Sequence, residues 1–347
     1  PMSLTTELER LSLPLEKAFT IARGTQETTE NVAVRIADDE GNEGVGAAAP
    51  SSHYGETAAT VEAVLPDLLD RVEEVGDPHQ LHRIERRMRE TVERNPAARC
   101  AVSVALHDLA AKRADLPLYR YWGLDPAETV PTSYTIGIDT TERMAEKTET
   151  AVERGYSVLK VKVGTDRDEE ILSTVREHAP DATIRVDANE AWSPREAVRK
   201  IDAVAEYDLE FVEQPVSADD LEGLKFVRDR SSLPIAADES CVTLADIPRI
   251  ADTVDIANLK LMKCGGLRET KRMIHAARAH GLEVMLGCMI ETNAAISAAA
   301  HLAPLLDYAD LDGSLLLDDD PYGGVPMPEG DIDLAGFDRP GTGARRE

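Results

Sequence analysis

The sequence predicts an α/β fold: a modified (β/α)₈-type barrel of the TIM-like kind, preceded by an α+β capping domain. Two observations carry this prediction. From residue 130 onward, short apolar segments alternate with amphipathic helical segments at intervals of roughly 25 residues, which is the rhythm of a (β/α)₈ barrel. The 347 residues are also too many for one ordinary compact domain, but they suit a large barrel with an additional domain.

Residues 1–124 are predicted to form the capping domain, because strand patterns come before helix patterns there. Residues 31–37 alternate between apolar and polar side chains, as a half-buried strand does. Residues 57–72 and 97–114 have the apolar spacing of helices. This order of elements is typical of an α+β segment.

Residues 125–319 are predicted to form the barrel, and residues 320–347 an irregular tail that packs back on the cap. A doubly wound open sheet would show the same alternation of strands and helices, so the number of strands favours the barrel. Eight strands are predicted, at residues 133–138, 158–163, 183–186, 211–212, 234–237, 256–261, 284–286 and about 308–311.

The charge of the chain is strongly acidic, with 65 Asp and Glu against 38 Lys and Arg and a formal net charge of −27. Such a surface repels phosphate backbones and anionic lipids, so nucleic acids and membranes are poor candidate partners. The expected partner is a small-molecule substrate. Salt screens the repulsion between like charges, and we therefore interpret the composition as that of a halophilic protein, with an ordinary acidic enzyme as the alternative.

The four cysteines are scattered along the sequence and form no CxxC pair, which favours free thiols in a reducing compartment. The sequence shows no signal peptide and no run of eighteen apolar residues. These features predict a soluble, cytoplasmic protein.

Three successive barrel strands each end near a carboxylate: Asp187, Glu213 and Asp238. Functional side chains of such barrels stand at the carboxyl ends of the strands, so these three are expected to converge. Three converging carboxylates repel one another unless a cation lies between them, and all-oxygen ligands select a hard ion such as Mg²⁺. A single carboxylate at a strand end would more simply cap the following helix.

Lysines flank these carboxylates in strand order. Lys160 and Lys162 alternate with valine, which directs both to the same side of the second strand. Lys263 follows the sixth strand, on the opposite side of the barrel. Lys162 and Lys263 are therefore predicted to approach a bound substrate from its two faces as acid/base catalysts. A divalent cation would stabilise the enediolate that forms when an α-proton leaves a carboxylate.

The strand-end segments resemble those of the muconate-lactonizing subgroup of the enolase superfamily, and more narrowly its dipeptide epimerases of the L-Ala-D/L-Glu epimerase type. The likeness extends over nearly the whole chain. The segments that carry it are KVK (160–162), DAN (187–189), VEQP (212–215), ADES (237–240) and KLMKCGG (260–266). It implies a Mg²⁺-dependent isomerase that inverts the α-carbon of a dipeptide's C-terminal residue by proton transfer between two lysines.

The resemblance also implies roles for individual residues. Asp187, Glu213 and Asp238 would bind Mg²⁺, and Lys162 and Lys263 would be the two catalytic lysines. The substrate-binding residues would be Lys160, which would help hold the substrate carboxylate; Asp310 and Asp312, which would bind the substrate ammonium group; and Thr135, at a position that lines the pocket.

The capping domain contributes one further substrate-binding candidate, Arg23. It lies on a loop expected to close over the site, where a guanidinium could pair with a substrate carboxylate. The alternative is an exposed arginine on an acidic protein. His53 and Tyr54, on a second cap loop, are weaker candidates for substrate contact.

Other activities of the same scaffold remain open: N-acylamino acid racemase, muconate cycloisomerase and o-succinylbenzoate synthase. These share the metal and the lysines, but they have no need of paired carboxylates for an ammonium group. A non-catalytic small-molecule binding protein is a further alternative, although binding alone would not require a base on each face. The sequence does not identify the preferred dipeptide. The resemblance also allows a homo-oligomer.

Overall fold

The computed structural model of the protein describes residues 3–347 as an antiparallel sheet with helices packed on it and a barrel of eight parallel strands. The predicted fold class is confirmed. No helix within these residues is long and apolar enough to cross a bilayer.

The N-terminal sheet has three strands: β1 (Leu4–Ile21), β2 (Gly24–Asp38) and β3 (Glu43–Ala48). β1 and β2 form a long hairpin whose pairing runs from Leu4 opposite Asp38 to Ile21 opposite Gly24. The hairpin is longer than the apolar pattern predicts, because its tip is mostly exposed and depends on pairing between the strands rather than on burial. The tip carries Arg23.

Four helices complete the cap: α1 (Ala58–Val75), α2 (Leu81–Thr91), α3 (Pro96–Arg113) and α4 (Leu118–Tyr121). α3 is buried on every side from Ala97 to Ala111. It packs against the cap sheet on one side and against the barrel on the other, which explains its apolar circumference. It is the element that joins the two parts of the molecule.

The barrel strands follow one another in spatial order, each parallel to the next. The sheet nearly closes where the Ser133 amide donates a hydrogen bond of 3.1 Å to the Ala309 carbonyl. The strands are β4 (Tyr134–Ile136), β5 (Val158–Lys162), β6 (Thr183–Asp187), β7 (Leu209–Glu213), β8 (Ile235–Ala237), β9 (Ile256–Lys260), β10 (Glu283–Gly287) and β11 (Tyr308–Asp310).

Helices of unequal length surround the barrel. The unit after β9 is irregular, because a single helical turn, α10, follows the strand without a loop. The helices are α5 (Thr141–Glu153), α6 (Asp168–His178), α7 (Pro194–Val204), α8 (Leu221–Arg228), α9 (Ile247–Ile250), α10 (Leu261–Cys264), α11 (Leu267–Ala279) and α12 (Asn293–Ala300).

Apolar side chains fill the lower end of the barrel, where the strands begin. Phe211, Ala236, Ile256 and Met285 form a cluster of their own there, and all four are fully buried. The Arg185 guanidinium lies 5.4 Å from the ring centroid of Phe211. The lower end is therefore a packed core, and the chemistry is restricted to the upper end.

The C-terminal segment returns to the cap and includes two short strands, β12 (Tyr322–Gly323) and β13 (Arg345–Arg346). The Leu118 amide donates to the Gly341 carbonyl over 2.7 Å. The Thr342 amide donates to Asp108 Oδ1 of α3, also over 2.7 Å.

Candidate active site

The charged side chains of the barrel mouth stand at the ends of their strands. Lys162, Asp187 and Glu213 are the last residues of β5, β6 and β7, and they are in register across the sheet. Lys260 and Asp310 end β9 and β11, whereas Asp238 comes one residue after β8. All six are buried. The strand ends therefore gather both kinds of charge in one place.

Lys160 joins several of the predicted site residues. Its Nζ lies 2.8 Å from Asp310 Oδ2 and 2.8 Å from Glu213 Oε2. It is also 3.1 Å from Asp187 Oδ2. Burial lowers the pKa of Lys160, but the surrounding carboxylates outweigh burial and raise the pKa well above its usual value. Lys160 is therefore a fixed ammonium group.

The carboxylates respond unequally to burial. Burial raises the pKa of Asp187, but the ammonium groups of Lys162 and Lys160 outweigh it and hold the pKa below its ordinary value. Lys162 Nζ lies 2.5 Å from Asp187 Oδ2. For Glu213, burial and then the neighbouring charge of Asp187 raise the pKa to about 7. Glu213 is therefore the least compensated carboxylate of the group.

Asp238 is paired with two lysines on opposite sides. Lys260 Nζ lies 2.7 Å from Oδ2, and Lys263 Nζ lies 2.5 Å from Oδ1. Lys263 also donates to the backbone carbonyls of Asp238, over 2.6 Å, and of Asn258, over 3.0 Å. A cavity between the cap and the upper end of the barrel is lined by Lys160, Lys162 and Lys260 but not by Lys263.

This placement differs from the predicted one, in which Lys162 and Lys263 both face the substrate. β9 ends at Lys260, and the chain continues as the helical turn α10, which directs Lys263 away from the cavity. Side chains of a strand alternate, so Asn258 and Lys260 both point into the barrel. Asn258 Nδ2 donates to Glu213 Oε1 over 2.7 Å. The sequence signal that could have identified Lys260 is this alternation, the same one that identified Lys160 and Lys162.

The donor set fits a hard cation. Glu213 Oε2, Asn189 Oδ1 and Asn258 Oδ1 are buried oxygens that accept no hydrogen bond. Buried polar atoms are rarely left without a partner, and oxygen atoms are the ligands that Mg²⁺ prefers. Glu213 Oε2 is within ion-pair distance of Lys160, but the angle does not suit a hydrogen bond. Neither Asn189 nor Asn258 was predicted from the sequence as a metal-binding residue.

Among the described residues, a second cluster of possible metal ligands has its ligand atoms closer together than those of Asp187, Glu213 and Asp238. Ligand atoms of His53, Glu190 and Glu239 lie within 4.8 Å of one another. Arg23 supplies a cation to them, since its Nη1 is 2.7 Å from Glu239 Oε1 and 3.3 Å from Glu190 Oε2. Nη1 also donates to the Asn189 carbonyl over 3.3 Å. Arg23 thus ties the tip of the cap hairpin to the barrel mouth.

Asp310 and Asp312 are held in place by the first barrel strand. Ser133 Oγ donates to Asp310 Oδ1 over 2.6 Å, and the Thr135 amide donates to Asp312 Oδ2 over 2.7 Å. Burial and the charge of Asp310 raise the pKa of Asp312 to about 7. Asp310 is already paired with Lys160. Asp312 has no cationic side chain within 4.0 Å among residues 3–347.

A cavity of about 800 Å³ lies between the cap and the upper end of the barrel. Arg23, His53 and Tyr54 line it from the cap, and Thr135 and Asp312 line it from the barrel. Its volume is within the range of small-molecule sites. The cavity therefore brings the predicted substrate-binding residues of both parts together.

Gly287 makes room for the second lysine of the cavity. It ends β10 and is paired in register with Lys260. A β-carbon at this position would lie 2.9 Å from Asn258 Oδ1 and 3.2 Å from Lys260 Cε. Only glycine leaves both side chains in their places.

Known proteins similar to this chain include enzymes that act on dipeptides and on N-acylated amino acids. L-Ala-D/L-Glu epimerase of Bacteroides thetaiotaomicron is 39% identical over 335 residues, 96% of this chain and 86% of the relative. Dipeptide epimerase of Enterococcus faecalis V583, solved with Mg and L-Leu-L-Tyr, is 35% identical with a TM-score of 0.93 and 99% coverage of both chains. N-succinyl Arg/Lys racemase of Bacillus cereus is 28% identical with a TM-score of 0.93, covering 100% of this chain and 95% of the other.

Two family models match the chain. The model of the mandelate racemase / muconate lactonizing enzyme N-terminal domain matches residues 5–123. The enolase C-terminal domain-like model matches residues 143–346. Together with the similarity to relatives over almost the full length, these matches establish that the chain belongs to the mandelate racemase/muconate lactonizing enzyme family of the enolase superfamily.

Proposed function

We propose that this protein is a Mg²⁺-dependent dipeptide epimerase, an isomerase that inverts the α-carbon of the C-terminal residue. The observation that carries the proposal is the pair Lys162 and Lys260. They end β5 and β9, four strands apart in an eight-stranded barrel, and both line the cavity that contains Asp310 and Asp312. Similar curated proteins are L-Ala-D/L-Glu epimerase and hydrophobic dipeptide epimerase.

Asp187, Glu213 and Asp238 would hold the metal, and Glu213 Oε2 supports this role because it is a buried oxygen that accepts no hydrogen bond. When bound, Mg²⁺ supplies positive charge that stabilises the negative charge gathering on the substrate carboxylate as the α-proton leaves. Solved relatives contain Mg together with a dipeptide.

The two lysines move the proton. A neutral amine at Lys162 Nζ removes the α-proton from one face of the substrate, and the ammonium of Lys260 delivers a proton to the other face. The roles reverse in the opposite direction. Lys160, whose Nζ lies beside Glu213 and Asp310 in the cavity, orients the substrate carboxylate. This scheme replaces Lys263 with Lys260 as the second catalytic lysine, because Lys263 is turned away from the cavity.

Asp310 and Asp312 support a substrate with a free ammonium group, since they add negative charge at the side of the cavity near Thr135. The similarity to an N-succinyl Arg/Lys racemase favours N-acylamino acid racemization as the second candidate function. An N-acyl substrate has no α-ammonium group to place against Asp312. Comparing L-Ala-L-Glu with N-succinyl-L-Arg as substrates therefore separates the two functions.

Proton exchange in deuterated water tests the mechanism. Lys162→Ala and Lys260→Ala should each abolish epimerization, with losses of about 10²–10⁴-fold. Each variant should still exchange the α-proton of one epimer, and the two variants should differ in which one. Lys225→Ala, on the outer helix α8, is the matched control and should behave as wild type. If Lys263→Ala gives the one-sided exchange and Lys260→Ala does not, the assignment to Lys260 is wrong.

Further proposals concern the chain as a whole. We infer a capping domain at residues 1–124, a barrel at 125–319 and a tail at 320–347. The net charge of −27 supports adaptation to high salt, and the four free thiols support a cytoplasmic location. A homo-oligomer also remains a proposal. Thermal melts across a KCl series test the salt adaptation: a midpoint that does not rise with salt contradicts it.

A further inference from the structure

A second cavity of about 330 Å³ lies between the cap and the barrel. Arg94 and Arg99 line it from the cap, and Lys263 and Gly265 line it from the barrel. Tyr54 lines this cavity and also the active-site cavity, so the tyrosine is a shared wall. Ligand sites commonly lie at such domain interfaces, and the volume is at the lower end of their range.

Arg99 presents unused hydrogen-bond donors here. The side chain belongs to α3 and is only 9% exposed. Its Nη1 donates to the backbone carbonyls of Val92, Glu93 and Arg94 over 3.1, 3.0 and 2.5 Å. Its Nε and Nη2 have no acceptor among residues 3–347. Burial lowers the pKa of Arg99 despite the charge of Glu56, as expected of a guanidinium without a close counter-ion.

The free donors form one edge of the guanidinium, and that edge faces Gly265. A β-carbon on Gly265 would lie 3.1 Å from Arg99 Nη2 and 3.5 Å from Nε. Gly265 has φ +85°, in the left-handed region that favours glycine. The Nε/Nη2 edge has the spacing of the two oxygens of a carboxylate or phosphate.

The charges around the cavity leave a positive excess. Two of its acids are already satisfied: Glu85 is held by Ser103 and Arg268, and Glu269 by Arg89 and Arg272. The third acid, Glu93, is exposed.

Arg94 has no carboxylate within 4.0 Å among residues 3–347, and Arg99 has none either. Arg94 is exposed and Arg99 is buried, so the cavity contains one exposed and one buried arginine without a carboxylate partner, in a protein with a net charge of −27.

We propose that this cavity binds a small oxyanion, a carboxylate or inorganic phosphate, which takes two hydrogen bonds from the Nε/Nη2 edge of Arg99 and charge compensation from Arg94. The occupant contacts the wall that Tyr54 shares with the active site, so its binding is linked to the turn that carries His53 and Tyr54. The cavity is not lined by Lys162 or Lys260, the lysines proposed to move the proton, although Lys263, which the sequence predicted as a catalytic lysine, forms part of its wall. Anion binding here does not depend on the proposed epimerase activity.

Calorimetric titration with inorganic phosphate, and separately with acetate, tests the proposal in Mg²⁺-containing buffer at constant ionic strength. Arg99→Lys keeps the charge but removes the two-pronged edge, and should weaken binding about tenfold or more. Arg94→Ala should weaken it as well. Arg94→Ala is less disruptive to folding than a change at Arg99, because Arg94 accepts a hydrogen bond from Arg99 through its backbone carbonyl, which the alanine variant keeps. Arg86→Ala, on the exposed side of α2, removes the same charge outside the cavity and is the matched control.

Saturable binding of either anion that is lost in the Arg94 and Arg99 variants and retained in the Arg86 variant supports the site. Binding of acetate alone identifies a carboxylate ligand, and binding of phosphate alone identifies phosphate. No saturable binding, or equal binding by all the variants, overturns the proposal. Because binding is measured without turnover, its failure is distinguishable from failure of the epimerase function.

Discussion

The two ends of the barrel are built from the same strands and differ completely in chemistry. At the lower end, the Arg185 side chain is buried against the rings of Phe211 and Tyr308. It donates a hydrogen bond of 2.6 Å to Glu210 and one of 2.8 Å to the Ala309 carbonyl. At the upper end, Lys160 is equally buried, but its neighbours are three carboxylates. Each end thus contains a buried cation.

The difference lies in how the hydrogen-bonding groups are satisfied. The Arg185 guanidinium has aromatic faces and two acceptors, and among the described residues none of its nitrogens is a buried atom without a partner. Around Lys160, a carboxylate oxygen of Glu213 remains buried without a hydrogen bond. A core that is fully satisfied stabilises the fold, whereas unsatisfied buried charge costs stability and is maintained for function. Along β7, only two residues separate Phe211, in the apolar lower end, from Glu213, in the charged upper end.

Phe211→Ala should have the largest effect on the fold. Removing a fully buried aromatic side chain typically costs about 3–5 kcal/mol of unfolding free energy. The protein that remains folded should retain its catalytic parameters, because the change is at the lower end. Urea denaturation and kinetics on the same samples measure both quantities. Phe226→Ala, on the outer helix α8 and only partly buried, should cost less. An equal cost would contradict the distinction.

Where the cap contacts the barrel, the buried His301 should make the free energy of unfolding depend on pH. His301 accepts from the Tyr119 amide and is 3.1 Å from the Thr342 carbonyl, and burial lowers its pKa to about 4. The unfolded chain, with an ordinary pKa of about 6.5, binds the proton more readily. His301 therefore contributes stability above pH 6.5 that is lost as the pH falls to 4, up to about 3 kcal/mol.

His301→Gln, whose amide can replace both hydrogen bonds, should remove this part of the acid sensitivity. The difference in unfolding free energy between wild type and variant, measured from pH 7 to pH 4, isolates His301 from other titrating groups. The result that would count against the assignment is a difference that stays constant over this range.

Glu213→Gln should leave the fold intact and impair the site. The amide keeps the hydrogen bond from Asn258 but loses the charge, so Mg²⁺ affinity and kcat/KM should each fall about 100-fold or more. Unfolding free energy should change little, because Lys160 keeps Asp187 and Asp310 as partners while one of three converging buried carboxylates loses its charge. Calorimetric Mg²⁺ titration and melting curves test this. Glu210→Gln makes the same change at the lower end of β7 and should spare Mg²⁺ binding.

Gly287→Ala should have the smallest effect of the four. The added methyl group would displace both Asn258 and Lys260 by a few tenths of an ångström, and activity should fall roughly tenfold because small displacements of catalytic groups are costly. Stability should change little. A variant with full activity would show that Lys260 is free to adjust and is not held in a catalytic position.

Much of the site is predictable from the sequence, because strand ends can be located from apolar runs. That rule alone predicts the positions of three carboxylates at the barrel mouth: Asp187, Glu213 and Asp238. Their metal-binding role stays a prediction. Lys263 is the residue that the rule places at the cavity and that the structure leaves out of its lining. The segment 260–263 continues the apolar pattern, but β9 ends at Lys260 and the chain coils into α10. A change from strand to helix alters side-chain direction, and short segments do not reveal that change.

The sequence by itself determined the alternation of strands and helices. That alternation determined the barrel fold and placed the charged residues at the carboxyl ends of its strands. Periodicity is a local property, so a local pattern was enough. Only the tertiary structure decided that Lys260 shares the cavity with Lys162, that Arg23 is bound by Glu239 and Glu190, and that Arg99 faces a second cavity with two free donors. These are contacts between residues far apart in the chain, and they depend on the docking of the cap on the barrel, which no local pattern encodes.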